Sequence, residues 1–254
     1  MNYIYTCCDT RKSRLPMLAV FLLTAVFLLT GCEEKTQDPP VVETGTVTDI
    51  DGHTYKTVKI GDQWWMAENL EVSKYRNGKD LRFVNNINDT LNWGLTGSYC
   101  LYDNSLGSPG YLYNWLAVED ADNIAPEGWH VPTDADWKVL EQSLGMNPVE
   151  LNAENWRGTH EGEKLKMTGP DYWTIYEGIW GTNESGFSAL AGGCRMFNNN
   201  WSTPFGLRFV GFWWTSSQTA NNMAWYRHLD YKSAGIYRHY GPKTYGFNIR
   251  CVKN

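Results

Sequence analysis

The sequence predicts an α+β domain of short, twisted antiparallel strands, one or two helices and long loops over residues 47–254. Three observations predict it. Aromatic residues make up 15% of the chain and glycines number 24, so the core is built from few, large, rigid side chains with glycine-rich loops around them. Short runs rich in Phe, Trp, Tyr and Val alternate with Gly and Asn clusters, the pattern of strands joined by turns. One segment combines a capped start with helical spacing of apolar residues.

The elements follow in chain order. Val47 to Ile50, Asp51-Gly52 and His53 to Ile60 read as a hairpin, because Asp-Gly suits the positive φ values of a type I′ turn. A second turn at Gly61-Asp62 leads into Gln63-Trp64-Trp65-Met66. The clearest helix starts after Pro132, with Thr133 as cap, Asp136 at the capping-box position, Trp137, Leu140 and Leu144 on one face, and Gly145 as stop. A shorter helix is expected from Pro148 to Asn155. From Gly186 onward the runs Phe209 to Trp214, Ala224 to Leu229 and Phe247 to Val252 read as strands, without the fixed period of a solenoid.

Residues 1–31 read differently. Arg11, Lys12 and Arg14 form a basic start, and Leu18 to Leu29 contains only Leu, Ala, Val, Phe and Thr24. That run is too short for a hydrocarbon core of about 30 Å, which needs about 20 apolar residues, so a cleaved signal peptide is expected. Leu29-Thr30-Gly31-Cys32 resembles the lipobox of bacterial lipoproteins, in which the cysteine thiol takes a diacylglycerol. The resemblance implies lipidation of Cys32, with palmitate-like chains holding the protein on a membrane outside the cytoplasm. Residues 32–46 are polar, with Glu33, Glu34, Asp38 and the pair Pro39-Pro40, and read as a tether. Acidic residues straight after the cysteine resemble surface-export signals, which favours the outer membrane or cell surface.

Cleavage takes three basic residues and Asp9 from totals of 22 and 28, leaving a net charge of about −8. With no Lys/Arg-rich run, nucleic acid is excluded as an expected partner and electrostatic docking on an anionic bilayer is disfavoured. The anchoring falls to the lipid. Beyond Cys32, the domain holds Cys100, Cys194 and Cys251, whose spacing matches no metal signature. In an oxidising compartment one disulfide involving Cys251 is expected, with its partner open between Cys100 and Cys194.

The order of segments carries a resemblance. Gln63 to Leu70, Tyr99 to Asn104, Tyr113-Asn114-Trp115, Gly128-Trp129-His130-Val131-Pro132 through Trp137, Gly186 to Leu190 and Gly246 to Val252 resemble the Fibrobacter succinogenes major paralogous domain family across residues 47–254. The resemblance implies a single C-type-lectin-like domain, related to formylglycine-generating enzymes, on secreted or lipid-anchored bacterial proteins. It implies no established reaction and no cofactor. This chain has Ala125-Pro126-Glu127 where many members carry a cysteine, so a disulfide placed there by analogy is absent; Cys194 lies where members more often carry an aromatic residue.

No nucleophile with a base, carboxylate pair or H-E-x-x-H spacing stands out, so no catalytic residue and no metal site is expected. His130, fixed before the helix, reads as a structural hydrogen-bonding group. His228 and His239 occupy the similar strings Tyr226-Arg227-His228 and Tyr237-Arg238-His239 and read as two strands presenting like faces, which makes both candidates for ligand contact. The calcium-binding triplets of sugar-binding C-type lectins do not occur. Asp49 to Gly52 looks like half a calcium loop and serves as a turn, and the oxygen-rich stretches 183–185 and 198–200 are weaker still.

Aromatic side chains remain as the positive signal, since sugar rings stack on indoles. Trp137 is expected in the core, and Trp213 and Trp214 on opposite faces of one strand. The candidates for ligand contact are Trp180, Trp201 in an Asn-rich turn, and Trp214 as the outward member of its pair. The leading expectation is a non-catalytic binding or adhesion module for polysaccharide or a surface protein. The alternatives are a structural envelope lipoprotein and, third, an oxidase of the formylglycine-generating type.

Overall fold

Strand signals dominate the chain, and the protein, described in a computed structural model at residues 42–84, 93–102, 109–198 and 201–254, is mostly β-sheet. For residues 197–198 and 201–204 the description covers the backbone alone. In chain order the elements are β1 (Thr44–Thr48), β2 (Thr54–Ile60), β3 (Gln63–Met66), β4 (Arg82–Phe83), β5 (Ser98–Cys100), β6 (Leu112–Tyr113), α1 (Trp115–Glu119), β7 (Trp129–His130), α2 (Asp134–Ser143), β8 (Asn155–Arg157), α3 (Glu161–Leu165), β9 (Gly192–Asn198), β10 (Trp201–Leu207), β11 (Val210–Gln218), β12 (Met223–Asp230), β13 (Ile236–Pro242) and β14 (Val252–Lys253). Of the helices, α2 has 10 residues and α1 and α3 have 5 each, so the helical share is smaller than an α+β reading suggests.

The strands form three sheets, ordered β1-β2-β3-β14-β7, β10-β9-β11-β12-β13-β8 and β4-β5-β6. Among these residues no helix is long and apolar enough to cross a membrane. The first hairpin pairs β1 with β2 from Thr44↔Val58 to Thr48↔Thr54. Its strand begins inside the stretch read as tether: residues 44–46 belong to the sheet, and Glu43 accepts the Lys59 backbone N–H at 2.9 Å. The turn is longer than a two-residue Asp-Gly loop. Buried Asp49 organises it, accepting the backbone N–H groups of Asp51 and His53 at 2.9 and 3.0 Å and the Tyr55 hydroxyl at 2.6 Å. The next turn matches expectation: Ile60 pairs with Gln63 across Gly61-Asp62, and at φ +58° Gly61 carries no Cβ that would collide with Ser143.

Helix α2 starts as its capping box predicts. The Thr133 hydroxyl accepts the Asp136 N–H at 3.1 Å while the Asp136 carboxylate accepts the Thr133 N–H at 2.8 Å. Trp137 and Leu140 are buried, and Gly145 leaves the helix at φ +106°. The second expected helix, at residues 148–155, is not formed. Asn147 captures the N–H of Val149 with its side chain and that of Glu150 with its carbonyl, and Asn155 at φ +69° turns the chain into β8. Helices α1, capped by Asn114, and α3 were not signalled by periodicity, because each is little more than one turn.

Strand β11 lies in the core with both faces covered. Trp213 packs in one apolar cluster with Trp137, Phe187 and Leu229, while Trp214 packs in the other with Phe212, Phe247 and Tyr226. The three domain cysteines are free and buried, which corrects the expected disulfide. Each thiol is a packing group: Cys100 sits with Val84, Trp93 and Leu112, Cys194 donates to the Phe205 carbonyl at 3.8 Å, and Cys251 belongs to the apolar cluster that holds Met66 and Ile249, its backbone N–H donating to the Met66 sulfur at 3.4 Å. Burial pushes the Cys194 thiol up to about 12 and raises the other two.

Candidate functional site: an aromatic and histidine face

The strings Tyr226-Arg227-His228 and Tyr237-Arg238-His239 meet as neighbouring antiparallel strands. The register sets Arg227 opposite Arg238, Tyr226 opposite His239 and His228 opposite Tyr237. Since side chains alternate, both arginines share one face of β12 and β13, and the tyrosines and histidines share the other.

The arginine face is closed by α2. Arg227 donates to Asp134 at 2.9 Å and to Glu141 at 2.5 Å; Arg238 holds Asp134 through two bonds of 2.8 Å. Arg157, next along on β8, clasps Glu141 at 2.9 and 2.7 Å. The guanidinium groups and Lys138 hold the Asp134 carboxyl well below the usual range, against the burial that opposes ionisation. Arg238 also lies 3.7 Å from the centre of the Trp225 ring. This buried charge cluster fixes helix and strands together and so sets the geometry of the opposite face.

On that opposite face the rings of His228 and Phe212 stack at 4.2 Å with 9° between planes. Trp156 on β8 stands 5.3 Å from His228 and 5.1 Å from Tyr237, and its side chain is 44% exposed. His239 lies 5.8 Å from Tyr237, with Nδ1 3.6 Å from the Glu154 carboxylate. The Tyr237 hydroxyl donates to the Asn155 side chain at 3.0 Å. Burial, with Lys166 adding to it, pushes the His228 imidazole down to about 3, so it is a neutral ring throughout the ordinary pH range. Among the described residues its Nε2 has no hydrogen-bond partner. The result is a stacking surface, with Trp156 outermost and Glu154, Asn155, His239 and the Tyr237 hydroxyl as a polar rim.

The other sequence candidates fall elsewhere. Trp214 is fully buried, and the expectation that it points outward is corrected: alternation does separate it from Trp213, but both faces of β11 are covered. Its indole N–H donates to the Tyr113 carbonyl at 2.9 Å. Trp201 begins β10 opposite Asn198, while residues 199–200 and the Trp201 side chain lie outside the described residues. Trp180 is exposed on the 169–181 loop, beside a hollow of about 210 Å³ shared with Pro170, Trp173, Ile175 and Ile179, none of which belongs to the histidine face. His130 bonds to Asn254 at 2.7 Å and Asp136 at 3.2 Å, the structural role expected of it.

Sequence reading missed Trp156, because it follows the stretch taken for a helix. The available signal was its place in Asn155-Trp156-Arg157, an aromatic and an arginine adjacent as in the two strings that flank it in space. No curated protein and no solved structure matches the chain. The blocks at Gln63 to Leu70, Gly128 to Trp137 and Gly246 to Val252, which build β3, α2 and the approach to β14, all lie within residues 58–253, where the model of the Fibrobacter succinogenes major domain matches, and the chain belongs to that family.

Proposed function

We propose that the protein is a lipid-anchored surface module that binds polysaccharide without turning it over, using the Trp156, Tyr237, His228 and His239 face. The observation that carries the reading is the exposed Trp156 indole flanked by Tyr237 and His228, with carboxylate, amide and hydroxyl groups at its rim. Apolar rings supply stacking area at little conformational cost, and a few polar groups orient hydroxyls. The lipobox at Cys32 supports anchoring at the outer membrane or cell surface. The last strand, β14, lies between β3 and β7 and so joins the end of the chain to its first sheet, which supports reading the domain as C-type-lectin-like.

The test is a pull-down of the mature chain on insoluble polysaccharides, with and without calcium, in parallel with Trp156→Ala. A central aromatic contact contributes about 2 kcal/mol, so binding should weaken roughly thirty-fold in the variant. Undiminished binding by Trp156→Ala would remove this face from the reading. A second reading, an envelope lipoprotein without a small ligand, draws support from Trp65, Trp93, Trp137, Trp213 and Trp214, all spent on the core. Absence of binding to every polysaccharide would favour it.

A further inference from the structure

Residues 169–181 read Gly-Pro-Asp-Tyr-Trp-Thr-Ile-Tyr-Glu-Gly-Ile-Trp-Gly, an apolar and aromatic loop that the binding face does not use. Its base is pinned. Trp173 is buried and donates its indole N–H to the Ala189 carbonyl at 2.8 Å, and the Thr174 N–H reaches the Arg208 carbonyl at 2.7 Å. Its tip is a tight turn, with Tyr176 bridged to Ile179 across Gly178 at φ +69°. Outward from this base stand Ile175, 66% exposed, and Trp180, 61% exposed, with Tyr172 and Tyr176 exposed beside them. Phe209 and Tyr231 extend the patch: Tyr231 lies 5.7 Å from Tyr176 and 5.1 Å from Phe209. The Lys232 ammonium stands 5.3 Å and 5.2 Å from the ring centres of Tyr176 and Tyr231. The turn itself carries exposed Glu177, and Asp171 lies at the loop's start, but the side chains of Ile175, Trp180 and the tyrosines dominate the patch. Exposed Trp, Tyr and Ile with Lys232 at the edge are the chemistry of a bilayer interface, where the charged groups stay at headgroup level, and clusters of this kind are seldom left bare.

The path of the chain favours a lipid occupant. Cys32 is ten residues before Val42, a span of about 35 Å at full extension. Val42 lies against Gly186, where a Cβ would stand 3.2 Å from its Cγ1. Gly186 follows the end of the loop at Gly181 by five residues. Five residues span at most about 18 Å, and the tether about 35 Å, so the loop stands within reach of a bilayer holding Cys32.

We infer that this loop rests in the interfacial layer of the anchoring membrane, inserting Ile175 and Trp180 and so orienting the domain. It rests on acylation of Cys32, as the proposed function does. The contact is made by apolar side chains, and because the chain is acidic it gains nothing from anionic lipid.

The test places the full mature chain on vesicles of phosphatidylcholine and phosphatidylethanolamine with brominated acyl chains, follows co-flotation, and reads tryptophan quenching. The expected result is flotation with quenching that is lost in Trp180→Phe and reduced in Ile175→Ser. Flotation with equal quenching in wild type and Trp180→Phe overturns the inference and leaves the anchor intact. Failure to float overturns both. If polysaccharide, rather than bromolipid, changes Trp180 emission, the loop belongs to the ligand and the inference falls.

Discussion

Replacing Glu141 by Ala tests whether the buried charge cluster holds α2 to the sheet. The Glu141 side chain is fully buried and accepts bonds of 2.9 and 2.7 Å from Arg157 and 2.5 Å from Arg227. Without it Arg227 keeps Asp134, but among the described residues Arg157 retains only the Leu151 carbonyl at 3.1 Å and the Met146 sulfur at 3.6 Å. Leaving such a guanidinium buried and uncompensated costs about 3–5 kcal/mol. At roughly 2–4 °C per kcal/mol for a domain of this size, the melting temperature should fall by about 6–20 °C. Glu141→Gln, which keeps an acceptor but no charge, should cost less, about 1.5–3 kcal/mol, and carries the test if the alanine variant does not fold. Urea unfolding followed by tryptophan fluorescence measures both. A Glu141→Ala variant within about 1 kcal/mol of wild type would mean the cluster is no stronger than exposed ion pairs and would refute the argument.

Three further outcomes are expected. His228 stays neutral in the folded state down to about 3 but takes up a proton below its ordinary 6.5 when unfolded, so stability falls as pH drops from 6.5, by at most about 1.4 kcal/mol per pH unit; His228→Phe should flatten that limb in urea titrations, and an unchanged slope would contradict the burial. Cys100, Cys194 and Cys251 are buried with raised thiol pKa values, so iodoacetamide at pH 8 should label them only after denaturation; labelling of the native protein, or protection that survives denaturation and is lost on reduction, would count against free packed thiols. Trp214→Ala should cost about 3–5 kcal/mol as a cavity in the core, whereas exposed Trp156→Ala should alter stability by less than about 1 kcal/mol while weakening polysaccharide binding; equal destabilisation by the two would erase the distinction between core and face.

Local chemistry in the chain sufficed for some of this protein. The capping box of Thr133 and Asp136, the turn at Gly61-Asp62 and the strands carrying Trp213 and Arg227 are readable in the sequence near them, whereas the run Phe247 to Val252, expected as a strand, enters one only at Val252. The likeness of the two Tyr-Arg-His strings was also visible, and with it the prospect that His228 and His239 face the same way. Their meaning required the tertiary structure. That Arg227 and Arg238 turn inward to Asp134 and Glu141, that Trp214 is buried though it alternates with buried Trp213, and that Trp156 joins the histidine face all depend on which sheet surfaces are covered. Coverage is set by contacts between residues about 15 to 145 positions apart, such as Glu141 with Arg157 and Trp213 with Asn69, and no local periodicity encodes them. The same reason explains the free cysteines: their number permits a bridge, but only packing decides whether a sulfur meets another sulfur or, as at Cys251, is enclosed in an apolar cluster.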